Sequence, residues 1–142
     1  MECSIASINS DDATIKQIFQ LTKVIAVVGC SPDSEKASHK VAKYLQEKGF
    51  TIIPIYPKED LILGQKVYRD LNEIEEVVDM VIVFRKPAFV LTVVQSCIQK
   101  GGINYLWTQL GIVNDEAAQI AQENGMRVVQ NKCAMIEHQK LL

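Results

Sequence analysis

The aliphatic run Val24-Ile25-Ala26-Val27-Val28 leads directly into Gly29-Cys30-Ser31. Such a run reads as a strand buried on both faces, as in a parallel sheet. Gly29 permits a tight turn at the strand end and lets a ligand approach bare backbone. A polar loop from Pro32 to Ala37 follows, and then Ser38, placed to cap a helix carrying Val41, Ala42 and Leu45. Strand, glycine turn and helix N-terminus in that order cradle phosphate, because unpaired amides and the positive end of the helix dipole converge. The plainer alternative is that Gly29 only shapes a turn.

The loop departs from the dinucleotide fingerprint. G-x-G-x-x-G needs glycine at positions 31 and 34, and both are serine. The strand Thr51–Tyr56 ends in Tyr56-Pro57-Lys58, without the acid at its end that binds a free ribose diol. A lysine there suits a phosphate on the ribose. Glu59 and Asp60 lie just beyond, so NAD(P) binding, with or without oxidoreductase chemistry, stays as the alternative.

Further groups fall at the ends of three later strands. Asp79–Phe84 delivers Phe84, Arg85 and Lys86; Ile103–Trp107 delivers Thr108, Gln109 and Gly111; Met126–Val129 leads to Asn131 and Cys133. Lys58, Arg85 and Lys86 collect positive charge on a chain of net charge −2, which matches a ligand with several phosphates. Phe84 either stacks on an adenine or fills core, and Trp107 reads as core or pocket wall. His39 is either a phosphate contact or a solvated first-turn residue. Cys30 and Cys133 border the same edge, either as small buried residues or as thiols within reach of a ligand thiol. No nucleophile, base and orienting group can be assembled. The serines sit in the loop and at the cap, and His138 has only Glu137 beside it. The reading is a binding protein, not an enzyme.

The elements that position these groups alternate. A short helix capped by Asp11 or Asp12 shows Ile15, Ile18 and Phe19 on one face, after a loose lead-in over residues 1–10. The helix from Ser38 to Lys48 joins the first two strands, and a connector through Tyr68 holds at most a short strand or turn. Asp70 or Asn72 starts a short helix. A helix from Ala88 to Lys100 presents Val90, Val93, Val94 and Cys97 on one face, and Asn114 caps another. The pattern predicts an α/β fold in one domain over residues 1–142: a Rossmann-like, doubly wound parallel sheet of about five strands with helices on both faces. The expected strand order is 3-2-1-4-5 with right-handed crossovers.

Composition bounds the partners. A chain of 142 residues with 48% hydrophobic and 23% charged residues is ordinary for a globular protein. The weak negative charge offers no footprint for nucleic acid or anionic lipid. No apolar run approaches a membrane span, and no signal peptide is read, so the expected compartment is the cytoplasm. The four cysteines are scattered and, with His39 and His138, form no metal-ligand spacing.

The run IAVVGCSPDSEKASHKVAKYLQEKGFTIIPIYPK, followed by VIVFRKP, LWTQLGIVNDEAA and KCAMIEH, resembles the small stand-alone CoA-binding proteins of bacteria and archaea. It is also similar to the N-terminal CoA-binding domain of succinyl-CoA synthetase alpha subunits. The resemblance implies coenzyme A or an acyl-CoA as the ligand, held without catalysis by a carrier or sensor. It implies that Gly29, Cys30 and Ser31 hold the pyrophosphate with Ser38 assisting. Pro57 and Lys58 would meet the adenosine and its ribose phosphate, and Phe84, Arg85 and Gln109 would line the rest of the cleft. Tyr56 is a departure, since relatives commonly carry Asn before that proline; its ring is placed to stack on the base or narrow the site. A third reading is a partner-docking module with a vestigial pocket.

Overall fold

A computed structural model describes residues 8–142; most of the expected lead-in, residues 1–7, lies outside the described residues. Five parallel strands form the sheet: β1 (Val24–Val28), β2 (Thr51–Ile55), β5 (Met80–Val83), β6 (Tyr105–Thr108) and β7 (Arg127–Val129). Their side chains alternate between two buried faces, as period-2 geometry requires. Ile25, Val27, Ile52, Met80, Ile82 and Trp107 face one way, toward α1 (Asp12–Leu21), α2 (Ala37–Glu47) and α5 (Ala134–Leu141). Ala26, Val28, Ile53, Val81, Val83 and Leu106 face the other, toward α3 (Val90–Lys100) and α4 (Asp115–Glu123). Both faces are covered, which is why β1, β5 and β6 read as unbroken apolar runs.

The strand order is β2-β1-β5-β6-β7, so in chain sequence the sheet runs 2-1-3-4-5, not 3-2-1-4-5. The expected order put a strand outside β2. That place is taken by a single bridge: Tyr68 N–H donates to the Pro54 carbonyl, and Tyr56 N–H donates to the Tyr68 carbonyl. The chain then crosses one face on buried Leu71, Ile74 and Val78 and enters on the far side of β1. The reversal of strand order therefore lies between β1 and β5.

The connector holds a hairpin, β3 (Leu61–Ile62) against β4 (Gln65–Lys66). Its turn residues Leu63 and Gly64 both have positive φ, the geometry of a two-residue hairpin loop. Of the two candidates Asp11 and Asp12, Asp11 caps α1 by accepting the Thr14 amide, and Asn114 caps α4 by accepting the Ala117 amide, as the sequence predicts. Asp70 caps a single 3-10 turn, Leu71–Glu73, through a capping box. Helix α5 was not legible in the sequence. It buries Glu137 and exposes Ile136, which inverts the polarity by which a helix face is read.

Candidate ligand-binding site

At the switch point Gly29 ends β1 and Phe84 ends β5, with the Phe84 amide donating to the Val28 carbonyl. Gly29 has φ of +85°, and a Cβ there would lie 2.7 Å from the Phe84 carbonyl oxygen. Glycine is therefore demanded by the neighbouring strand as well as by the turn. The loop that follows is closed on itself. The amides of Gly29 and Cys30 both donate to the Ile55 carbonyl, at 2.9 and 3.2 Å. The Ser31 amide donates to Ser38 Oγ at 3.0 Å, Ser31 Oγ accepts the Asp33 amide, and His39 Nδ1 lies 3.0 Å from the Ser31 carbonyl.

Two expectations are corrected by this network. The Gly29–Ser31 amides are not free to cradle an anion, because β2 and Ser38 already use them. Ser38 does not cap its helix: α2 begins one residue earlier, with Lys36 in the cap position and no side-chain cap. The free donors are instead the first-turn amides of Ala37, Ser38 and His39, which have no acceptor among the described residues. A small cleft lies over them, walled by Gly29, Ser31, Lys36, Ala37, Ser38, Tyr56 and Phe84. Lys36 adds a charged side chain to this rim that the sequence reading left unassigned.

That cleft opens into a larger one of about 460 Å³ lined by Gly29, Tyr56, Pro57, Arg69, Phe84 and Arg85. Tyr56 and Phe84 are half-buried and both line it. Arg85 is exposed, its guanidinium carbon 4.3 Å from the centre of the Phe89 ring. Lys58 is also exposed, but it lies outside the walls of these clefts. Arg69 stands in its place: its Nη1 donates to the carbonyls of Tyr56 (3.0 Å) and Lys58 (2.9 Å), holding the loop after β2 in shape. Arg69 is not legible as a site residue in the sequence because the segment around it has no periodicity. The one available signal was the Asp70–Glu73 capping box immediately after it.

On the other side of Phe84 a cleft of about 420 Å³ is lined largely by carbon, from Ala37, Phe84, Pro87, Leu110, Ile112 and Cys133, with Arg85 at its rim. Gln109 is buried in its wall, and its Oε1 accepts the Ala134 amide at 2.9 Å. Cys133 is nearly buried but borders this cleft. Cys30 does not border it. Its side chain is fully buried in the core cluster that includes Val27 and Ala42, and burial pushes its thiol up to about 11. Cys97 is likewise a core residue, its thiol raised by burial to about 12. Trp107 is core, with Nε1 donating to the Lys132 carbonyl. Among the described residues no group of three His, Cys, Asp or Glu side chains is placed to hold a metal ion. No described helix is long and apolar enough to cross a membrane.

Comparison with known proteins bears on this groove. The family described as CoA binding domain matches residues 23–139. The chain is 38% identical to "Uncharacterized protein YneT" of Bacillus subtilis, over 92% of this chain and 96% of that protein. It is 30% identical to "Acetate--CoA ligase [ADP-forming] II subunit alpha" of Pyrococcus furiosus over 79% of this chain, but spans only 27% of the ligase subunit. A solved structure of a hypothetical protein from Pyrococcus horikoshii superposes with a TM-score of 0.90 and 35% identity, covering 99% of both chains.

Proposed function

The chain belongs to the CoA-binding domain family, and from that membership we propose that it binds coenzyme A or an acyl-CoA reversibly, without catalysing a reaction on it. The observation that carries the reading is the uncapped start of α2 beside Gly29, with a cationic cleft on one side and a carbon-lined cleft on the other. CoA has the same three-part character: a diphosphate, a phosphorylated nucleoside and an uncharged pantetheine arm.

The diphosphate meets the amides of Ala37, Ser38 and His39, where Lys36 adds positive charge. The adenine lies between Tyr56, Pro57 and Phe84. The pantetheine arm runs along Leu110 and Ile112 toward Cys133. The reading of a binder rather than a catalyst is supported by the commitment of the loop amides and of Gln109 to internal bonds. A place as carrier or sensor follows from binding alone.

Thermal unfolding with added ligand tests the proposal, since a ligand that binds only the native state raises its melting temperature. CoA should raise it more than NAD or NADP does. Equal shifts with CoA and NAD, or no shift with CoA, would overturn it.

A further inference from the structure

Arg69 and Arg85 wall the same cleft from opposite sides of β1, one following β2 and the other following β5. Both also line a smaller cavity of about 170 Å³ that continues toward α3, where Thr92 and Ser96 contribute hydroxyls. Neither guanidinium has a carboxylate within salt-bridge distance among the described residues. Arg69 uses Nη1 on two carbonyls and leaves Nε and Nη2 without an acceptor among the described residues. The acid in the same wall, Asp70, is committed elsewhere: its Oδ1 accepts the Asn72 amide and caps the turn that follows. The hydroxyls of Thr92 and Ser96 likewise have no partner among the described residues.

Two cations and two hydroxyls around one small cavity, in a chain of net charge −2, form a site for a compact dianion. The cavity is separate from the uncapped start of α2, and the two are joined through the cleft that holds Gly29 and Tyr56. We propose that Arg69 and Arg85 together bind the ribose monoester phosphate of the ligand, so that the groove selects a nucleotide phosphorylated on its ribose over the same nucleotide without that group. The inference rests on the CoA reading and adds a residue and a selectivity to it. It also moves the ribose phosphate from Lys58, which lies outside the cleft walls, to Arg69, which lies in them.

The test is isothermal titration of CoA and dephospho-CoA into the wild type, Arg69→Gln and Lys58→Ala. Wild type should bind CoA at least about tenfold more tightly than dephospho-CoA, the size expected of a charge-assisted pair to phosphate. Arg69→Gln removes the charge and shortens the side chain by two bonds, so the clasp on the Tyr56 and Lys58 carbonyls is lost as well and the effect is read as a ratio of the two ligands. This variant should bring the ratio close to one, with CoA weakened about tenfold more than dephospho-CoA, and retained dephospho-CoA binding shows that the site has folded. Lys58→Ala should keep the wild-type ratio. The proposal is overturned if Arg69→Gln keeps the ratio, whether it weakens both ligands by one factor or neither, or if Lys58→Ala removes the ratio. Equal binding of both ligands by the wild type overturns this inference alone, whereas binding of neither overturns the CoA reading with it.

Discussion

Phe84 divides the groove into two regions of opposite character. Toward β2 the walls are Arg69, Arg85, Tyr56 and Pro57, with charge and aromatic rings. Toward β7 they are Pro87, Leu110, Ile112 and Cys133, and the one polar residue buried there, Gln109, is consumed by the start of α5. The first region recognises by charge and direction, the second by area removed from water. A ligand that is charged at one end and neutral at the other is therefore oriented before any specific contact is made. The regions also differ in what holds them. The cationic side is built on strand ends and the Arg69 clasp, whereas the apolar side depends on the docking of α5.

The largest effect is expected where the two regions meet. Gly29→Ala puts a side chain at φ of +85° and 2.7 Å from the Phe84 carbonyl oxygen. Backbone strain and overpacking together should cost roughly 2–5 kcal/mol of stability. Urea unfolding measures it, and a loss below about 1 kcal/mol would show that β1 and β5 can separate at their ends without penalty. Both regions should lose ligand binding together in this variant.

Arg85→Ala should separate them. Losing a charge-assisted bond to phosphate costs about 1.5–3 kcal/mol, or roughly ten- to a hundredfold in CoA affinity. Stability should hardly change, because the side chain is exposed and its recorded partner is the ring of Phe89. Unfolding and titration of the same preparation decide the matter: lost stability with unchanged affinity would make Arg85 a structural residue.

Leu110→Ser addresses the other region. Leu110 is 60% exposed without ligand, so covering it with the pantetheine arm should contribute about 1 kcal/mol, roughly fivefold in affinity. Adenosine 3′,5′-bisphosphate has no pantetheine and should bind the variant as it binds the wild type. A matching loss with that fragment would place the nucleotide, not the arm, against Leu110.

The sequence showed the cationic region more clearly than the apolar one, for a physical reason. Gly29, Tyr56, Pro57, Phe84 and Arg85 follow buried strands, and a parallel sheet brings all its strand ends to one edge whatever the strand order. The error in order therefore cost little at the site. Hydrogen-bond closure, by contrast, is not local. That Ile55 takes the Gly29 and Cys30 amides, or that Ser38 turns back to Ser31, depends on β2 and α2 lying together in space. Arg69 and α5 were missed for related reasons. Arg69 works through carbonyls 13 and 11 residues away, and α5 is held by an inverted face with a buried glutamate.

Helix α5 supplies the finest distinction between the two regions. His138 on α5 sits among the rings of Phe19, Tyr44 and Phe50, with Nδ1 2.7 Å from the Tyr44 hydroxyl. Burial, and then the nearby Lys48 charge, hold the imidazole below its ordinary value of 6.5. The other charges on this helix offer partial relief at most, since Lys140 already pairs with both Glu137 and Asp12. As pH falls, the unfolded chain takes up the proton before the folded one does. The stability this group contributes is therefore complete above about pH 6.5 and declines below it. Because Cys133 and Ala134 open α5 and wall the apolar cleft, acid should loosen that region first. Between about pH 7 and about pH 5, CoA should lose affinity relative to adenosine 3′,5′-bisphosphate, and His138→Gln should remove most of that difference. The comparison cancels the ionisation of the ribose 3′-phosphate, which both ligands carry. The 5′-monoester of the bisphosphate also takes up a proton in this range, and His138→Gln, which leaves that step untouched, separates it from the effect of α5. A pH dependence of the affinity ratio that is unchanged in His138→Gln would mean that α5 does not govern the apolar region, and that the two halves of the groove share a single support.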